Sequence, residues 1–321
     1  MKITNFLSKY ALYVILLALI ALFAIRTPFF FSTANGITIL RQVAVTGIAA
    51  VGMTFVILTS GIDLSVGSIV GVSAANAAWL MAQGHHPVLS TAASLVLGIV
   101  FGLINGFFIN KVSLPPLITT LGSMTALRGV TMLVTDGRGI AVRASGYRVI
   151  GQGNVGPIPV PVIIMVAMFV LGYIILEHTR FGRYVYGVGD NEEATRLSGV
   201  NVKKVKYIVY ALSGFLSALA GIVSLSRLMS AQPTAGDGYE LQIITAVVLG
   251  GVNIRGGEGK ISLVVIGVLI MGVLENGMVH MNIAPFYQWV VRGCVLLLAV
   301  SYNKFLLNRK NKLLTQGAAQ K

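Results

Sequence analysis

Long apolar stretches alternate with short polar segments along almost the whole chain. The stretches lie near residues 10–31, 36–60, 64–82, 88–109, 114–134, 160–176, 207–229, 241–254, 261–280 and 286–303. Their apolar runs are continuous, whereas the strands of a membrane barrel alternate at every second residue. Since roughly 20 apolar residues cross a bilayer as a helix, the pattern predicts an all-α polytopic membrane protein. We expect about ten transmembrane helices, some of them broken or short.

The composition agrees with a membrane location. Hydrophobic residues make up 55% of the 321 residues and charged residues only 11%, whereas soluble domains average roughly 25% charged residues. We expect a single transmembrane domain over residues 1–321. The first apolar run is followed by Arg26, Thr27 and Pro28. Because these residues do not resemble a cleavage site, we interpret the run as a retained helix.

Basic residues give the chain a net charge of +14. Placing the N-terminus in the cytoplasm puts every Lys in a cytoplasmic segment. Eight of the 24 basic residues fall on the outer side of the membrane or within the spans. All eight are Arg: Arg26, Arg41, Arg128, Arg138, Arg143, Arg148, Arg227 and Arg292. This distribution follows the positive-inside rule. It predicts cytoplasmic N- and C-termini, with a basic cytoplasmic tail at 304–321, and it explains the charge without nucleic acid.

One polar insert, residues 177–206, interrupts the apolar pattern. Its charged residues are six bases and four acids: Arg180, Arg183, Arg196, Lys203, Lys204, Lys206, Glu177, Asp190, Glu192 and Glu193. Asp190 and Asn191 are residue types that cap helices, and the two glutamates that follow suit the positive end of a helix dipole. Gly199 is suited to end such a helix. The insert predicts a loop followed by a short exposed helix, which we interpret as a rigid contact for a soluble partner.

Two spans are interrupted by glycine and polar residues, at 59–68 and 250–260. The pattern Gly-Leu-Ile-Asn-Gly at 102–106 is echoed by Gly-Val-Leu-Glu-Asn-Gly at 272–277. Paired breaks of this kind mark internal repeats that flank a transport path in several carriers. We therefore interpret the two halves of the chain as a weak internal repeat.

Five polar residues of these regions are candidates for a translocation path: Asp63, Asn105, Asn253, Glu275 and Asn276. An ionised group inside a bilayer is costly unless it is paired or hydrated. Asp63 has a second interpretation, as the cap of a helix that begins at Leu64. Glu275 has an alternative too, an ion pair with Arg292 across the bundle. The sequence leaves both alternatives open.

Several chemistries find no support in the sequence. The one Gly-Lys pair, at 259–260, is followed by Ile, so the chain has no phosphate-binding loop for ATP. Its one cysteine, Cys294, allows no internal disulfide. We expect no enzyme activity, no cofactor and no metal in this chain. Trp79, Tyr287 and Trp289 fit a membrane-interface belt better than a sugar-stacking site.

Four segments together resemble a known family. They are VGMTFVILTSGIDLSVGS at 51–68, PPLITTLGSMTALRG at 115–129, TRFGRYVYGVGDNEEATRLSGVNVKKVK at 179–206 and RLMSAQPTAGDGYELQIITAVVLGG at 227–251. The chain resembles, nearly end to end, the membrane permeases of bacterial ABC importers of the ribose, xylose, arabinose and galactoside type. It departs from the usual pattern at Gln242, where relatives carry an acidic residue.

The resemblance implies a permease in the bacterial cytoplasmic membrane that imports a pentose or related monosaccharide. Its implied partners are cytoplasmic ATPase subunits that bind ATP and Mg²⁺, a second permease copy in a homodimer or heterodimer, and a periplasmic or extracellular sugar-binding protein. Five residues of the insert match the segment that docks on the ATPase in this family: Arg183, Asn191, Glu193, Ala194 and Gly199.

Two other functions are compatible with the polar residues. A secondary carrier driven by H⁺ or Na⁺ needs a titratable relay within the spans, for which Asp63 and Glu275 are the available carboxylates. A scaffolding membrane subunit needs no path at all. ATP-dependent solute uptake separates the first expectation from both alternatives.

Overall fold

The computed structural model describes the backbone of residues 2–318 and the side chains of residues 10–301 and 304. The far end of the predicted basic tail, residues 319–321, lies outside the described residues. The described part contains thirteen α-helices: α1 (Lys2–Arg26), α2 (Thr33–Leu58), α3 (Val66–Ala82), α4 (Pro87–Asn110), α5 (Pro116–Thr135), α6 (Arg148–Gln152), α7 (Val160–His178), α8 (Arg180–Asp190), α9 (Glu192–Leu197), α10 (Val202–Leu228), α11 (Tyr239–Leu249), α12 (Ile261–His280) and α13 (Pro285–Ala318).

Six of these helices are long and apolar enough to cross a membrane, namely α2, α4, α5, α7, α10 and α12. Four shorter apolar helices accompany them over Tyr10–Arg26, Val66–Ala82, Tyr239–Leu249 and Pro285–Ser301. Together they cover the ten apolar stretches of the sequence. The prediction of an all-α polytopic membrane protein is confirmed.

Strands are few and very short in the part of the chain that the structure describes. β1 (Ile140–Ala141) pairs antiparallel with β4 (Ser230–Ala231), and β2 (Asn154–Val155) pairs antiparallel with β3 (Ile158–Pro159). A 3₁₀ turn at Ser145–Tyr147 precedes α6. These pieces join the segment between α5 and α7 to the end of α10, at one end of the bundle.

Helices α2 and α10 form the centre of the bundle. Within their most apolar stretches 78% and 72% of the residues are buried, against 22% in α5. Close backbone approach makes this packing possible, because a Cβ atom placed on Gly214 of α10 would collide with the carbonyl oxygen of Gly98 on α4. The abundant small residues therefore serve the tight helix packing that is usual in membranes.

Helix α11 is too short to cross a bilayer alone. Its 11 residues extend about 16 Å, roughly half of the hydrocarbon thickness. The segment 232–238 before it folds back against α3, where the carbonyl oxygens of Ala235 and Gly236 face Gly71 and Gly67. α11 thus begins inside the bundle, beside the first turns of α3.

At the end of the bundle opposite the strands lie α8, α9 and the segment 250–260, which we call the insert face. Two sequence expectations require correction here. Residues 180–190 form helix α8, where a loop was expected. α3 begins at Val66 and not at Leu64. The expected break at 250–260 is present, since α11 ends at Leu249 and Gly251, just after the helix, has φ +84°.

Candidate functional site

The insert folds into two short helices with side-chain caps. The Thr179 hydroxyl accepts a hydrogen bond from the Gly182 N–H at 3.2 Å and opens α8. The Asn191 side chain accepts one from the Ala194 N–H at 2.9 Å and opens α9. Gly199 follows the end of α9 with φ +85°, a conformation that glycine adopts without strain. The predicted short capped helix and its glycine stop are present.

Two ion pairs hold α9. Arg196 donates two hydrogen bonds to Glu193, at 3.0 and 2.6 Å, and Lys206 on α10 pairs with Glu192 at 2.7 Å. The hydrogen bond from Arg196 lowers the pKa of Glu193, and the same contact raises the pKa of Arg196. Both groups are therefore charged near neutral pH.

Helix α9 is exposed at the surface, whereas α8 packs against the bundle. None of the α9 residues is buried, and Leu197 is 75% exposed. In α8, by contrast, Val185 and Val188 are buried. The five sequence candidates of the insert all lie exposed on this one surface: Arg183, Asn191, Glu193, Ala194 and Gly199. Their role in docking a partner stays a prediction.

Tyr186 connects α8 to the rest of the insert face. Its hydroxyl donates to the Gly259 carbonyl at 3.0 Å and lies 3.4 Å from the Glu177 carboxylate. Burial raises the pKa of Tyr186 to about 12, with a further contribution from the negative charge of Glu177. The phenol therefore remains a hydrogen-bond donor at physiological pH.

Inside the bundle, Asp63 forms the centre of a first polar cluster. One carboxylate oxygen accepts hydrogen bonds from the Ser65 N–H at 3.0 Å and the Ser65 hydroxyl at 2.6 Å. The other accepts from the Ser213 hydroxyl on α10 at 2.9 Å. Asn105 on α4 donates to the Ser65 oxygen at 2.9 Å and accepts from Ser123 on α5. The cluster thus joins α3, α4, α5 and α10.

The first cluster decides against one of the two interpretations of Asp63, its role as the cap of α3. The N-cap of α3 is Ser65, and Asp63 lies two residues before it. Its carboxylate orders the turn ahead of the helix and also reaches across to α10. Asp63 and Asn105 are fully buried in this conformation. Sequence reasoning missed Ser213 and Ser123, because isolated serines in apolar helices give no signal of their own.

A second polar cluster surrounds the beginning of α11. Arg292 on α13 pairs with Glu275 on α12, so the suggested pairing of these two residues is present. The other oxygen of Glu275 accepts a hydrogen bond from Gln242 at 2.8 Å. Gln242, where relatives were expected to carry an acid, thus meets a carboxylate that a second acid would repel.

Arg128 on α5 completes this region from the other side of α11. Its guanidinium contacts Asp237 at 3.1 Å and Glu240 at 2.8 Å. The Arg128 side chain is 36% exposed and that of Asp237 is 46% exposed. The sequence showed Arg128 in an apolar span but gave no partner, because Asp237 and Glu240 are more than 100 residues away.

Comparison with known proteins decides the family. The profile of a family described as the permease component of the branched-chain amino acid transport system matches residues 35–300. The chain belongs to this permease family. The resemblance inferred from the four sequence segments is confirmed.

Several relatives are similar over nearly their whole length. The ribose import permease protein RbsC of Haemophilus influenzae is 45% identical over 313 residues, 96% of this chain and 97% of the relative. RbsC of Bacillus subtilis is 46% identical over 297 residues, 92% of this chain and 91% of the relative. The L-arabinose transport system permease protein AraH of Escherichia coli is 39% identical over 298 residues, 93% of this chain and 91% of the relative. No solved structure matches the chain.

The remaining path candidates of the permease lie in two separate places. Asn276 on α12 exchanges hydrogen bonds of 3.0 Å with Asn35 on α2. Asn253 lies in segment 250–260, where its side chain accepts from the Arg255 N–H at 3.0 Å. The five candidates therefore do not form one site, and their role in a path stays a prediction.

The other chemical expectations concern metals and aromatic residues. Among the described residues, no group of three or more His, Cys, Asp or Glu side chains is placed to hold a metal ion. Trp79, Tyr287 and Trp289 are exposed on α3 and α13. Their positions, toward the helix ends remote from the insert face, fit the expected interface belt.

Proposed function

We propose that this permease imports ribose or a similar pentose as the membrane subunit of an ATP-driven transporter in the bacterial cytoplasmic membrane. The observation that carries the proposal is the near-complete coverage of ribose import permeases at 45% identity. The family profile is described for branched-chain amino acids, but the relatives named above are permeases for ribose or L-arabinose. We therefore assign a monosaccharide substrate.

The proposed partners follow from the lack of a phosphate-binding loop in the sequence. A cytoplasmic ATPase docks on the exposed surface of the insert, through Arg183, Asn191, Glu193, Ala194 and Gly199. A second permease copy, in a homodimer, completes the path, and a binding protein outside the membrane delivers the sugar. Docking at α9 requires the insert face and both chain termini to be cytoplasmic, in agreement with the positive-inside distribution.

Rigid-body movement explains how ATP hydrolysis drives the movement of sugar along the path. Nucleotide binding brings the two ATPases together, and the docked α9 helices move with them. The two permeases then rock between conformations open to either side of the membrane. Asp63, Asn105, Asn253, Glu275 and Asn276 are the proposed polar residues of the path. Since Asp63 and Asn105 are fully buried here, they meet solute only in another conformation of the cycle.

Reconstituted transport tests this proposal. The permease is placed in proteoliposomes with its partner ATPase and a ribose-binding protein, and labelled ribose uptake is measured with ATP inside. We expect ATP-dependent uptake that unlabelled ribose suppresses and leucine does not. Uptake by the permease alone, or its loss when an ionophore collapses the ion gradients, would favour a secondary carrier. Suppression by leucine would overturn the sugar assignment.

A matched pair of charge reversals tests ATPase docking separately. Arg183→Glu changes the exposed surface of the insert, whereas Arg138→Glu changes an exposed arginine at the opposite end of the bundle. We expect Arg183→Glu to abolish co-purification of the ATPase and Arg138→Glu to retain it. Equal co-purification of the ATPase with both variants would show that the docking surface lies elsewhere.

A further inference from the structure

Three chain segments meet at one serine on the insert face. The Ser60 hydroxyl, just after α2, lies 3.0 Å from the carbonyl oxygen of Gly189 in α8 and 2.7 Å from that of Arg255. The Gly257 N–H donates to the Leu58 carbonyl at 3.0 Å. We call residues 58–60, 189 and 255–257 the Ser60 junction.

The backbone of the junction is shaped for close contact. Ser60 has φ +61°, and Gly256 and Gly257 have φ +85° and +73°, in a region that residues with a Cβ atom rarely adopt. A Cβ atom on Gly189 would collide with the Leu58 carbonyl oxygen, and one on Gly256 with the Ser60 hydroxyl. Apart from the short Ser60 side chain, the segments touch through backbone atoms, so no long flexible side chain lies between them to absorb a displacement.

A second contact reinforces the junction from α8. The Tyr186 hydroxyl donates to the Gly259 carbonyl at 3.0 Å, so α8 contacts the segment 250–260 directly as well as through Ser60. Val185 and Val188 seat the same helix on the bundle. α8 is therefore attached both to the break after α2 and to the break before α12.

The junction is also continuous with the polar interior. Three residues after Ser60, Asp63 accepts the hydrogen bond of Ser213 on α10, and Thr120 on α5 donates to the Ile62 carbonyl at 3.1 Å. A displacement of Ser60 along the chain thus reaches hydrogen bonds made with α5 and α10. The segment 59–65 contains no helix, so no helix between Ser60 and Asp63 could take up the displacement by bending.

We propose that the Ser60 junction transmits the movement of α8 and α9 to both membrane breaks, and that Ser60 is the positioning residue that holds the three segments together. The inference rests on the proposed function, because it assigns the step between ATPase docking and opening of the path. It predicts that loosening the junction uncouples transport from hydrolysis without releasing the ATPase.

The experiment compares two serines with the same backbone conformation. Ser60→Gly removes the junction hydroxyl and suits the positive φ, while Ser113→Gly makes the same change at φ +62° in the exposed segment between α4 and α5. Both are measured in proteoliposomes with the ATPase and binding protein, as ribose moved per ATP hydrolysed. We expect a roughly two- to tenfold fall for Ser60→Gly, the range that corresponds to one lost hydrogen bond, and no change for Ser113→Gly.

Tyr186→Phe provides an independent variant, since it removes the second contact and keeps the half-buried ring. We expect a fall of the same kind, with ATPase co-purification retained in both variants. Ser60→Asn keeps a hydrogen-bond donor and tolerates positive φ. It is expected to restore part of the ribose moved per ATP hydrolysed. A wild-type ratio in both Ser60→Gly and Tyr186→Phe overturns the inference, and if Ser60→Gly does not accumulate, Tyr186→Phe decides alone. The proposed function is tested separately, by whether the wild-type complex shows ATP-driven uptake of ribose.

Discussion

The guanidinium group of Arg292 on α13 pairs with the carboxylate of Glu275 on α12, and neither side chain is more than one-sixth exposed to solvent, at 14% and 16%. The second oxygen of Glu275 is engaged by Gln242 of α11. Three helices are thus joined through one carboxylate in an apolar part of the bundle. Removing either charge leaves its partner uncompensated where water cannot solvate it fully.

We expect Glu275→Gln to destabilise the permease by about 3 kcal/mol, the cost of breaking a largely buried pair. The double variant Glu275→Gln/Arg292→Met leaves no unpaired charge, so it is expected to be more stable than Glu275→Gln alone. Thermal unfolding of the detergent-solubilised protein measures both. If the double variant unfolded at the lower temperature, the pair would not be the source of the effect.

The hydrogen bond between Asp63 and Ser213 is expected to couple the two residues energetically. Asp63→Asn weakens an acceptor for three hydrogen bonds, and each bond to a charged group contributes about 1.5–3 kcal/mol. In a double-mutant cycle with Ser213→Ala we expect a coupling energy of about 1 kcal/mol or more. Thr38→Ala, on an exposed position of α2, is the control for Ser213→Ala. Equal coupling with both partners would contradict the direct contact.

Glycine at the contact of α4 and α10 is expected to be irreplaceable. Gly214→Ala places a methyl group against the Gly98 carbonyl oxygen, and overpacking of this kind costs about 1–3 kcal/mol. Gly36→Ala on α2 meets no atom within 4 Å and gains helix propensity. We expect a lower unfolding temperature for Gly214→Ala and an unchanged or higher one for Gly36→Ala. A higher temperature for Gly214→Ala would mean that the two helices can separate without cost.

The cap of α9 is expected to matter for docking. Asn191→Ala removes the hydrogen bond to the Ala194 N–H and costs about 1 kcal/mol of helix stability, so we expect ATPase affinity to fall roughly fivefold. Asn201→Ala removes an equivalent cap from α10, where the side chain accepts from the Lys204 N–H at 3.0 Å. Binding of the purified ATPase to immobilised permease compares the two. Equal losses would show that α9 has no special role.

The insert shows how far local sequence rules extend. The cap at Asn191 and the stop at Gly199 were predicted correctly, because both depend on hydrogen bonds and φ angles within a few residues. The helix at 180–190 was missed, since its glycines, Gly182, Gly187 and Gly189, disfavour a helix in isolation. Packing explains the difference: Gly189 fits against Leu58 only without a Cβ atom.

The contacts of the polar residues within the spans, by contrast, did not follow from local sequence. Their positions in apolar helices marked them as unusual, but their partners lie far along the chain: Arg128 with Glu240, Asp63 with Ser213 and Asn105 with Ser65. Asn253 was matched with Asp63, and Asn276 with Asn105, from similar flanking residues, yet the members of each pair lie in different parts of the fold. Flanking sequence reports the local backbone, whereas hydrogen-bond partners depend on how helices pack.

The amino-acid sequence alone determined the class of this protein, its apolar helices and the exposed capped helix of its insert. These features follow from hydrophobicity and local hydrogen bonding, which act over one helix or one turn. The tertiary structure decided which polar groups meet, that α11 begins inside the bundle and that Ser60 joins α2, α8 and the segment 250–260. Those contacts arise from close backbone approach between distant segments, and only the packed arrangement of the helices fixes them.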